Sequence, residues 1–597
     1  MLNRKKFELS SEQLVLAVVA FQLCFVNASF WHRLAGVLGN FSAAPLIYIS
    51  LFLLMLALMS LLYGLITPTR AVKPVLIFFL ILAATTSYFM DNYGAVIDRH
   101  ALQSAIESDA RESMEWLSVS MLWPMLLLGV LPAAFIQLFI TIPKRTLKRG
   151  VVIRGVFLLV CAAGALAAVA YSYQPLASIA RNHPTLRDLI NPFNAVNAVR
   201  GYVRKSLHVE SSELRSVGAD AVRGKSWSRT TLASTAVTST AVTSTAVTST
   251  AVTSTALASK ALTNNSRSIN AASNSSKATN AQPPTLFVLV LGESTRAASF
   301  GLLGYPRDTT PELSKWPLFL FQDVSSCGTN TATSVPCMFS NLGRAHYDER
   351  TANSQENLLD IVKRAGFAVE WIDNNTGSKK VARRVLEISV ATDTDTTLCN
   401  SDGCHDEILI RELTKRLEAI QTDTVLVLHQ LGSHGPAYFQ RYPERFARFT
   451  PICKSVELHK CTQQELRNSY DNSVLYSDYV LAKMIAMLAE RTQLNTALMF
   501  VSDHGESTGE SGYFLHGAPY AFAPKEQTQV PMFFWFSEAF KAQRNLQDAC
   551  MQARLAAPTS HDALFPMLLG VLDISTNAYR AEADPFSPCY ASGLTLR

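Results

Sequence analysis

The chain has 597 residues, a formal net charge of +6 and a hydrophobic content of 48%. This length allows more than one domain, and so modest a charge gives no reason to expect a nucleic-acid partner. The apolar residues are concentrated in the first third of the sequence, which excludes a wholly soluble protein.

Five apolar runs in this first third have about the length that a helix needs to cross a bilayer. We therefore predict a five-helix transmembrane domain over residues 1–173. A cleaved signal peptide is the competing interpretation of the first run, but no small-residue cleavage pattern is obvious and further apolar runs follow. The predicted spans are Leu14–Phe30, Ala44–Ile66, Val75–Met90, Leu117–Ile140 and Gly155–Tyr173.

Basic residues flank these spans unevenly. Clusters of Lys and Arg precede the first span, separate the second from the third, and separate the fourth from the fifth. Because cytoplasmic loops are enriched in Lys and Arg, we expect all three clusters on the inside. An odd number of spans then places everything after Tyr173 on the extracytoplasmic side.

Two segments separate the spans from the C-terminal part. Residues 174–218 are expected to form amphipathic bridging helices. The polar loop from Asp91 to Glu115 is also expected to contain amphipathic segments. Residues 219–284 are rich in Ser, Thr, Ala and Asn, with an uninterrupted Thr-Ala-Val-Thr-Ser repeat from Thr235 to Ser254. Such a composition cannot build a core, so we predict a flexible linker, with a short β-solenoid as the alternative.

Residues 285–597 alternate strand-like apolar runs with helical stretches. Strands are predicted at Leu286–Leu291, Phe367–Ile372, Thr424–Gln430, Ala497–Val501 and Val530–Phe536. Helices are predicted at Asn357–Ala365, Glu407–Ala419 and Tyr470–Glu490. This alternation indicates an α/β domain with a parallel or mostly parallel sheet that is covered by helices on both faces.

Cysteine usage agrees with an extracytoplasmic location, because eight of the ten cysteines lie beyond residue 320. The spacing typical of structural zinc is absent, so disulfides are favoured. One of these would brace the loop that carries Thr331. The close pairs are Cys327 with Cys337, Cys399 with Cys404, and Cys453 with Cys461, and Cys550 and Cys589 remain as a possible fourth pair.

Two polar motifs begin where buried strands are predicted to end. Glu293 follows Leu286–Leu291, and the pair Asp503-His504 follows Ala497–Val501. Ligands bind at that edge of open α/β sheets, and carboxylate and imidazole ligands suit zinc. A three-ligand set leaves a position open for a reacting oxygen, for which Thr331 is the candidate.

Each of these residues has a structural alternative. Glu293 could instead cap a following helix, since acidic residues are common near helix starts. Thr331 could be a helix cap or a turn residue. The combination of the motifs in this order favours the metal site.

The combined motifs resemble the lipid A phosphoethanolamine transferases, which include the mobile colistin resistance enzymes. The resemblance implies an alkaline-phosphatase/sulfatase-like α/β/α sandwich on a five-helix transmembrane domain. The repeat linker and the short Cys399–Cys404 loop depart from the family pattern. The segments that carry the resemblance are Gly292–Arg296, Cys327–Ser340, Asp373–Asn375, His434–Tyr438 and Ser502–Ser507, and it extends to Met90–Gly94 and Asn191-Pro192.

The resemblance also implies roles for individual residues. The family's zinc set, with Thr331 as the nucleophile, is matched by Glu293, Thr331, Asp503 and His504. Residues that this family uses around the phosphoethanolamine group or a second metal are matched by Asn375, Lys379, His434 and His516. The histidines could instead make structural hydrogen bonds, and Lys379 could be a solvated surface lysine.

The implied activity is transfer of phosphoethanolamine from phosphatidylethanolamine to a lipid A phosphate through a phosphoethanolamine-threonine intermediate. The implied protein is a monomer in the bacterial inner membrane, with its catalytic domain in the periplasm. A threonine hydroxyl is a weak nucleophile, and coordination to zinc would favour its alkoxide. The added ethanolamine cation would lower the negative charge of the surface, which predicts polymyxin resistance.

Other classes of protein fit less well. A sulfatase needs a modifiable Cys or Ser in a Cys/Ser-x-Pro-x-Arg motif, which the segment around Pro336 and Cys337 lacks. A membrane phosphodiesterase, or a phosphoethanolamine or phosphoglycerol transferase acting on another glycan, remains the enzymatic alternative. A membrane-anchored polymyxin-binding or sensor protein is the non-enzymatic one, and metal content without turnover would favour it.

Overall fold

A computed structural model describes residues 6–67, 71–107, 118–173, 175–176, 179, 184–207, 214–227, 283–400 and 403–590. The Thr235–Ser254 repeat, for which a flexible linker is predicted, lies outside these described residues.

The first two helices of the membrane half form a bent pair. Helix α1 (Ser11–Phe21) continues through a π-helical turn, and helix α2 (Ala28–Leu38) is inclined to it by 61°. Among the described residues, four further helices are long and apolar enough to cross a membrane, or five spans if the bent pair counts as one. Shorter helices α5 and α8 pack against each other. The remaining bounds are α3 (Pro45–Ile66), α4 (Val72–Tyr93), α5 (Arg99–Glu107), α6 (Val119–Phe139), α7 (Leu147–Tyr171) and α8 (Phe193–Leu207).

The first predicted span, Leu14–Phe30, is not one straight helix. Its break lies at Asn27, whose amide nitrogen donates to the carbonyl oxygens of Gln22 and Asn191, both at 3.0 Å. The Asn27 amide oxygen accepts the Asn191 backbone N–H at 2.8 Å. Buried backbone groups at membrane depth need such partners, so this distant contact explains a bend that the apolar pattern did not predict.

The C-terminal half of the chain is built on a seven-stranded sheet in the order β2-β7-β6-β1-β5-β3-β4. Five neighbouring strands, from β6 to β4, run parallel, and β7 is antiparallel to both of its neighbours. The prediction of a mostly parallel sheet is therefore confirmed. The strands are β1 (Thr285–Gly292), β2 (Phe319–Leu320), β3 (Ala368–Asp373), β4 (Leu386–Ser389), β5 (Thr424–His429), β6 (Asn495–Ser502) and β7 (Met532–Phe536).

Helices cover both faces of this sheet. Along β1, Phe287, Leu289 and Leu291 pack into one buried cluster, while Leu286 and Val290 pack into another on the opposite face. Alternation with period two is what a strand buried on both faces produces. The helices are α9 (Thr331–Met338), α10 (Glu349–Asn353), α11 (Leu358–Arg364), α12 (Glu407–Ala419), α13 (Gln463–Ala489), α14 (Lys525–Thr528), α15 (Glu538–Arg544), α16 (Asp548–Arg554) and α17 (Leu564–Val571).

Helix boundaries follow capping chemistry. The bounds predicted for α12 match the structure, and Asn357, predicted as the first residue of α11, is its N-cap. Helix α13 begins at Gln463 rather than at Tyr470, because the Thr462 hydroxyl and the Glu465 side chain form a capping box. The first two turns of α13 are too polar for hydrophobic periodicity to indicate them.

The start expected for the linker also differs from the structure. Residues 222–223 form a short antiparallel strand pair with Ile574–Ser575, and Trp227 is only 5% exposed within the core of the C-terminal domain. The segment from 214 to 227 thus packs on the C-terminal domain, although the low-complexity segment was expected to begin at Ala219. Trp227 supplies the apolar surface that makes this docking favourable.

The two halves contact each other through polar and aromatic groups. The Arg33 guanidinium lies 4.1 Å from the ring centre of Tyr513, and the Gln103 amide of α5 donates to the Glu349 carboxylate at 3.1 Å. Helix α5 also packs against α9, the helix that begins at Thr331. The membrane half therefore forms one wall beside the predicted active site.

Candidate metal centre and active site

The predicted zinc ligands meet at the carboxyl edge of the sheet. Glu293 follows β1, and Asp503 and His504 follow the adjacent strand β6. Their ligand atoms all lie within 4.8 Å of one another, and the three residues are buried. Parallel neighbouring strands that end together place these side chains in one cluster.

Backbone geometry brings a further loop against Glu293. Gly432 has a φ of 55°, and a Cβ at this position would lie 2.5 Å from the carbonyl oxygen of Glu293. Only glycine tolerates both conditions. The next residue, Ser433, donates its backbone N–H to that carbonyl at 2.9 Å, so the loop carrying His434 is fixed to the candidate metal cluster formed by Glu293, Asp503 and His504.

Thr331 faces this cluster from the first turn of α9. Its hydroxyl donates to Glu293 Oε2 at 2.9 Å and lies 3.3 Å from His504 Nε2. The helix N-cap is Asn330, whose side-chain oxygen accepts the Thr333 backbone N–H. The helix cap that was the structural alternative for Thr331 is therefore Asn330 instead. The helix N-terminus around Thr331 favours the binding of anions.

The ionisation of the cluster reflects its charge balance. Burial opposes ionisation of Glu293, but the charge and hydrogen bond of His504 outweigh it and hold the pKa of Glu293 well below its ordinary value. Burial, reinforced by the Glu293 charge, raises the pKa of Asp503 to about 6. Burial favours a neutral His504, yet Asp503 and Glu293 raise the pKa of that imidazole to about 10. The carboxylates of Glu293 and Asp503 therefore both face one protonated imidazole, that of His504.

The donor atoms fit a metal cation. His504 Nδ1 lies 2.9 Å from the Gly505 carbonyl oxygen, which accepts a hydrogen bond from the Nδ1–H group. The other ring nitrogen, Nε2, faces Glu293 and Asp503. Asp503 Oδ1 accepts backbone N–H groups of Ser294 and His504, whereas Asp503 Oδ2 is buried without a hydrogen-bond partner among the described residues. An orphaned carboxylate oxygen beside an imidazole nitrogen is what a cation would satisfy.

A second group of possible ligands adjoins the first. His504, Glu506 and His516 have ligand atoms within 4.8 Å of one another. The His516 ring centre lies 4.5 Å from that of His504 and 5.3 Å from that of His434. Glu506, which was not among the predicted site residues, accepts a hydrogen bond from the Tyr438 hydroxyl at 2.6 Å, and its carboxylate lies 2.9 Å from His516 Nδ1.

Asn375 touches the metal cluster directly. Its amide nitrogen donates to Glu293 Oε2 and to the Gln430 carbonyl oxygen, both at 3.0 Å. His429, which the sequence motifs did not identify, has its Nε2 3.3 Å from the same amide and its Nδ1 2.8 Å from Asp373. His429 is the last residue of β5 and the second-last residue of the predicted strand Thr424–Gln430, and this position at the sheet edge was the signal that could have identified it.

Lys379 lies apart from the metal cluster. Its ammonium group donates to the carbonyl oxygen of Thr376 at 3.1 Å and to the Thr376 hydroxyl at 2.8 Å. It lines a cavity of about 370 Å³ together with Ala332, the neighbour of Thr331 in α9. The structure thus places Lys379 beside α9, the helix that begins at Thr331, and outside the cluster of Glu293, Asp503 and His504.

Disulfides and a buried histidine brace the surrounding loops. The Cys327–Cys337 bond ties the loop before Thr331 to α9. His561 Nδ1 accepts the Cys327 backbone N–H at 3.0 Å, and burial lowers the pKa of His561 to about 3, so the ring is neutral. The other bonded pairs are Cys399 with Cys404, Cys453 with Cys461 and Cys550 with Cys589.

Asp406 connects two loops of the site. Its Oδ1 accepts from the Asn374 amide at 2.8 Å and from the Leu431 backbone N–H at 2.9 Å. Its Oδ2 accepts the Gly432 backbone N–H at 3.0 Å. The buried carboxylate of Asp406 therefore joins the loop that carries Asn375 to the loop that carries His434.

Two family models match the chain. A model described as sulfatase matches residues 285–574, which contain the whole sheet. A model described as phosphoethanolamine transferase EptA/EptB matches residues 54–207, in the membrane half.

Individual relatives match nearly the full length. Phosphoethanolamine transferase EptA of Escherichia coli K12 is 34% identical, with 96% of this chain and 96% of the relative covered. Phosphatidylethanolamine transferase Mcr-1 of Escherichia coli is also 34% identical, with 94% and 95% covered.

A solved structure extends this likeness to three dimensions. The integral membrane protein lipooligosaccharide phosphoethanolamine transferase A of Neisseria meningitidis superposes with a TM-score of 0.84 at 32% identity. The match covers 98% of this chain and 100% of that one. Likeness in sequence and in fold thus spans both halves of the molecule, and the chain is a membrane-bound enzyme of the EptA/Mcr phosphoethanolamine transferase family.

Proposed function

We propose that the protein transfers phosphoethanolamine from phosphatidylethanolamine to a lipid A phosphate at the periplasmic face of the inner membrane. The observation that carries this proposal is the Thr331 hydroxyl, 2.9 Å from Glu293 and 3.3 Å from His504 at the start of a helix. The name of the Mcr-1 relative supports the donor, and the lipooligosaccharide in the name of the Neisseria enzyme supports the acceptor.

The reaction has two steps at one phosphorus atom. The Thr331 oxygen bonds to the phosphorus of the donor, and the bond to the diacylglycerol oxygen breaks, which releases diacylglycerol and leaves phosphoethanolamine on Thr331. A lipid A phosphate oxygen then attacks the same phosphorus, and the bond to Thr331 breaks. The proton that Thr331 loses in the first step leaves on the diacylglycerol hydroxyl, and Thr331 takes a proton from the acceptor phosphate or from water in the second. Because both steps share the site, ping-pong kinetics are expected.

Zinc is the metal that we assign to Glu293, Asp503 and His504, since carboxylate and imidazole donors suit it. When bound, zinc supplies Lewis acidity toward hydroxyl and phosphoryl oxygens. The N-terminus of α9 offers backbone N–H groups to the phosphoryl oxygens. We assign Asn375, Lys379, His434 and His516 to the phosphoethanolamine group, with Glu506 orienting His516 through their 2.9 Å contact.

The membrane spans, the bridging helices and the linker have separate roles in this function. The spans anchor a monomer in the inner membrane, the bridging helices follow them, and residues 228–282 connect the docked segment 214–227 to strand β1 of the catalytic domain. Adding an ethanolamine cation to a lipid A phosphate lowers the negative charge of the surface. Cationic polymyxins then bind more weakly.

Mass spectrometry of lipid A tests the proposal. A Gram-negative host that expresses the protein should show a phosphoethanolamine mass increment and a raised polymyxin inhibitory concentration. The Thr331→Ala variant should show neither, at equal amounts of folded protein in the membrane. No increment with the unaltered protein would contradict lipid A as the acceptor, and an unchanged increment with Thr331→Ala would contradict the nucleophile.

A further inference from the structure

We propose that a basic groove beside the nucleophile helix binds a second phosphate of the acceptor lipid and so selects acceptors that carry more than one phosphate. The groove, called the basic groove below, is defined by Pro336, Asn353, Lys379, Lys380 and Arg383. This inference rests on the function proposed above and adds to it Lys380 and Arg383 as the residues that distinguish acceptor from donor.

The basic groove consists of two adjoining cavities. The first, of about 370 Å³, is lined by Ala332 and Pro336 of α9, by Asn353 of α10 and by both lysines. The second shares Pro336, Asn353 and both lysines and continues to Arg383. Because Ala332 directly follows Thr331, the groove starts beside the nucleophile and leads away from it.

The cations of the basic groove lack acidic partners. Elsewhere on the same face, Arg384 forms an ion pair with Asp360, and Arg364 forms one with Glu356. Among the described residues, no carboxylate lies within ion-pair distance of Lys379, Lys380 or Arg383. Lys379 donates to neutral oxygens of Thr376, and Arg383 donates to the carbonyl oxygen of Asn353. Three positive charges that form no ion pair lie along one groove, and such a groove attracts anions.

The backbone holds both lysines in an unusual conformation. Lys379 has a φ of 49° and Lys380 a φ of 73°, in the left-handed region that residues with a Cβ rarely adopt. Such strain persists where the surroundings enforce it, and it clusters at ligand sites. The turn is anchored by Asp373, whose Oδ1 accepts the backbone N–H groups of Asn375 and Gly377, both at 2.9 Å.

Two acidic residues also line the cavities, but both are engaged elsewhere. Glu349 accepts the amide of Gln103 at 3.1 Å. Glu356 pairs with Arg364 and accepts the Ser216 hydroxyl at 2.8 Å and the Val217 backbone N–H at 2.9 Å. Arg364 balances Glu356, so three cations face the one remaining carboxylate, that of Glu349, and the groove keeps a net positive charge.

The position of the groove suits a lipid acceptor. Helix α5 supplies Gln103 to its wall and begins only a few residues after the membrane helix α4. A lipid held in the outer leaflet therefore reaches this side of the catalytic domain. The donor headgroup has one phosphate and a cationic amine, whereas an acceptor with two phosphates presents a second anion to Lys380 and Arg383.

The test compares two acceptors and two half-reactions. Zinc-loaded full-length protein in phosphatidylethanolamine nanodiscs is supplied with bisphosphorylated or monophosphorylated lipid A. We expect the unaltered protein to have a lower KM for the bisphosphorylated form. The double variant Lys380→Ala/Arg383→Ala should raise that KM about 10-fold, as two solvent-exposed charge contacts allow, and should remove the preference. Intact-protein mass, measured without acceptor, follows formation of the Thr331 adduct and should show that the loss falls on the transfer step.

Matched variants make the result specific. Lys483→Ala removes another exposed lysine, on α13 and outside both cavities, and should preserve the preference. Lys380→Arg keeps the charge and should also preserve it. An undiminished preference in the double variant, or adduct formation slowed as much as transfer, would overturn the groove as an acceptor site. Transfer by the unaltered protein to neither form would instead contradict the proposed function, and the groove assignment with it.

Discussion

Two buried aspartates at the same edge of the sheet have opposite hydrogen-bond arrangements. Both oxygens of Asp406 are occupied, by the backbone N–H groups of Leu431 and Gly432 and by the Asn374 amide. Asp503 instead leaves Oδ2 without a hydrogen-bond partner among the described residues. A buried carboxylate whose oxygens are all occupied acts as a structural brace, whereas one with a free oxygen beside an imidazole is arranged for a cation.

The largest loss of activity is expected for Asp503, the aspartate with an oxygen that has no hydrogen-bond partner among the described residues. Asp503→Asn keeps the shape and one oxygen acceptor but removes the negative charge that faces the cation. We expect transfer activity to fall by about 10³-fold or more and bound zinc to be lost. Elemental analysis of the purified variant, beside an activity assay, checks this, and a variant that retained zinc and turnover would contradict Asp503 as a ligand.

The stability of the same variant should depend on the metal. Without metal, ionised Asp503 is buried near Glu293, which is why its pKa is raised to about 6. A raised aspartate pKa costs stability, and that cost is absent below the ordinary aspartate pKa and complete once pH exceeds about 6. In a chelator at pH 7.5, Asp503→Asn should therefore be more stable than the unaltered protein by about 1–3 kcal/mol. With zinc the order should reverse, and thermal unfolding with and without zinc measures both.

A smaller loss of activity is expected for Asp406, the aspartate whose two oxygens both accept hydrogen bonds. Asp406→Asn replaces one acceptor oxygen by an NH₂ group, so one of the three N–H donors loses its partner. We expect about 1–3 kcal/mol of destabilisation and roughly 10-fold lower activity, because the loops that carry Asn375 and His434 shift relative to each other. Zinc content should stay at the level of the unaltered protein. Zinc loss in Asp406→Asn would remove the distinction between the two aspartates.

The smallest effect is expected far from both aspartates. Replacing residues 228–282 by a Gly/Ser linker of equal length should change activity by no more than about 2-fold, because a linker acts mainly through its length. The same lipid A assay measures this. Complete loss of activity would mean that the repeat makes specific contacts.

The core of the catalytic domain was predictable because its strands are apolar runs bounded by polar motifs. The runs Leu286–Leu291 and Ala497–Val501 lie inside strands β1 and β6. The missed strands are edge strands: β2 has only two residues, and β4 is mostly exposed. An edge strand needs no continuous apolar run, so its pattern is weak.

The candidate site was predictable to the extent that its residues lie in motifs at strand ends. Glu293, Asp503 and His504 follow strands directly, and Thr331 was placed with them only through the combination of motifs. His429 and Glu506 were missed because their importance depends on contacts with Asp373, His516 and Tyr438 from distant segments. The bend at Asn27 depends in the same way on Asn191.

The most direct test of the account is the mass of the protein itself. Zinc-loaded protein is incubated with phosphatidylethanolamine in the absence of acceptor, quenched, and digested for peptide mapping. We expect a phosphoethanolamine mass increment on the peptide that contains Thr331, and we expect this increment to disappear when lipid A is added. Transfer to lipid A without any such increment, or an increment on another residue, would contradict covalent transfer through Thr331.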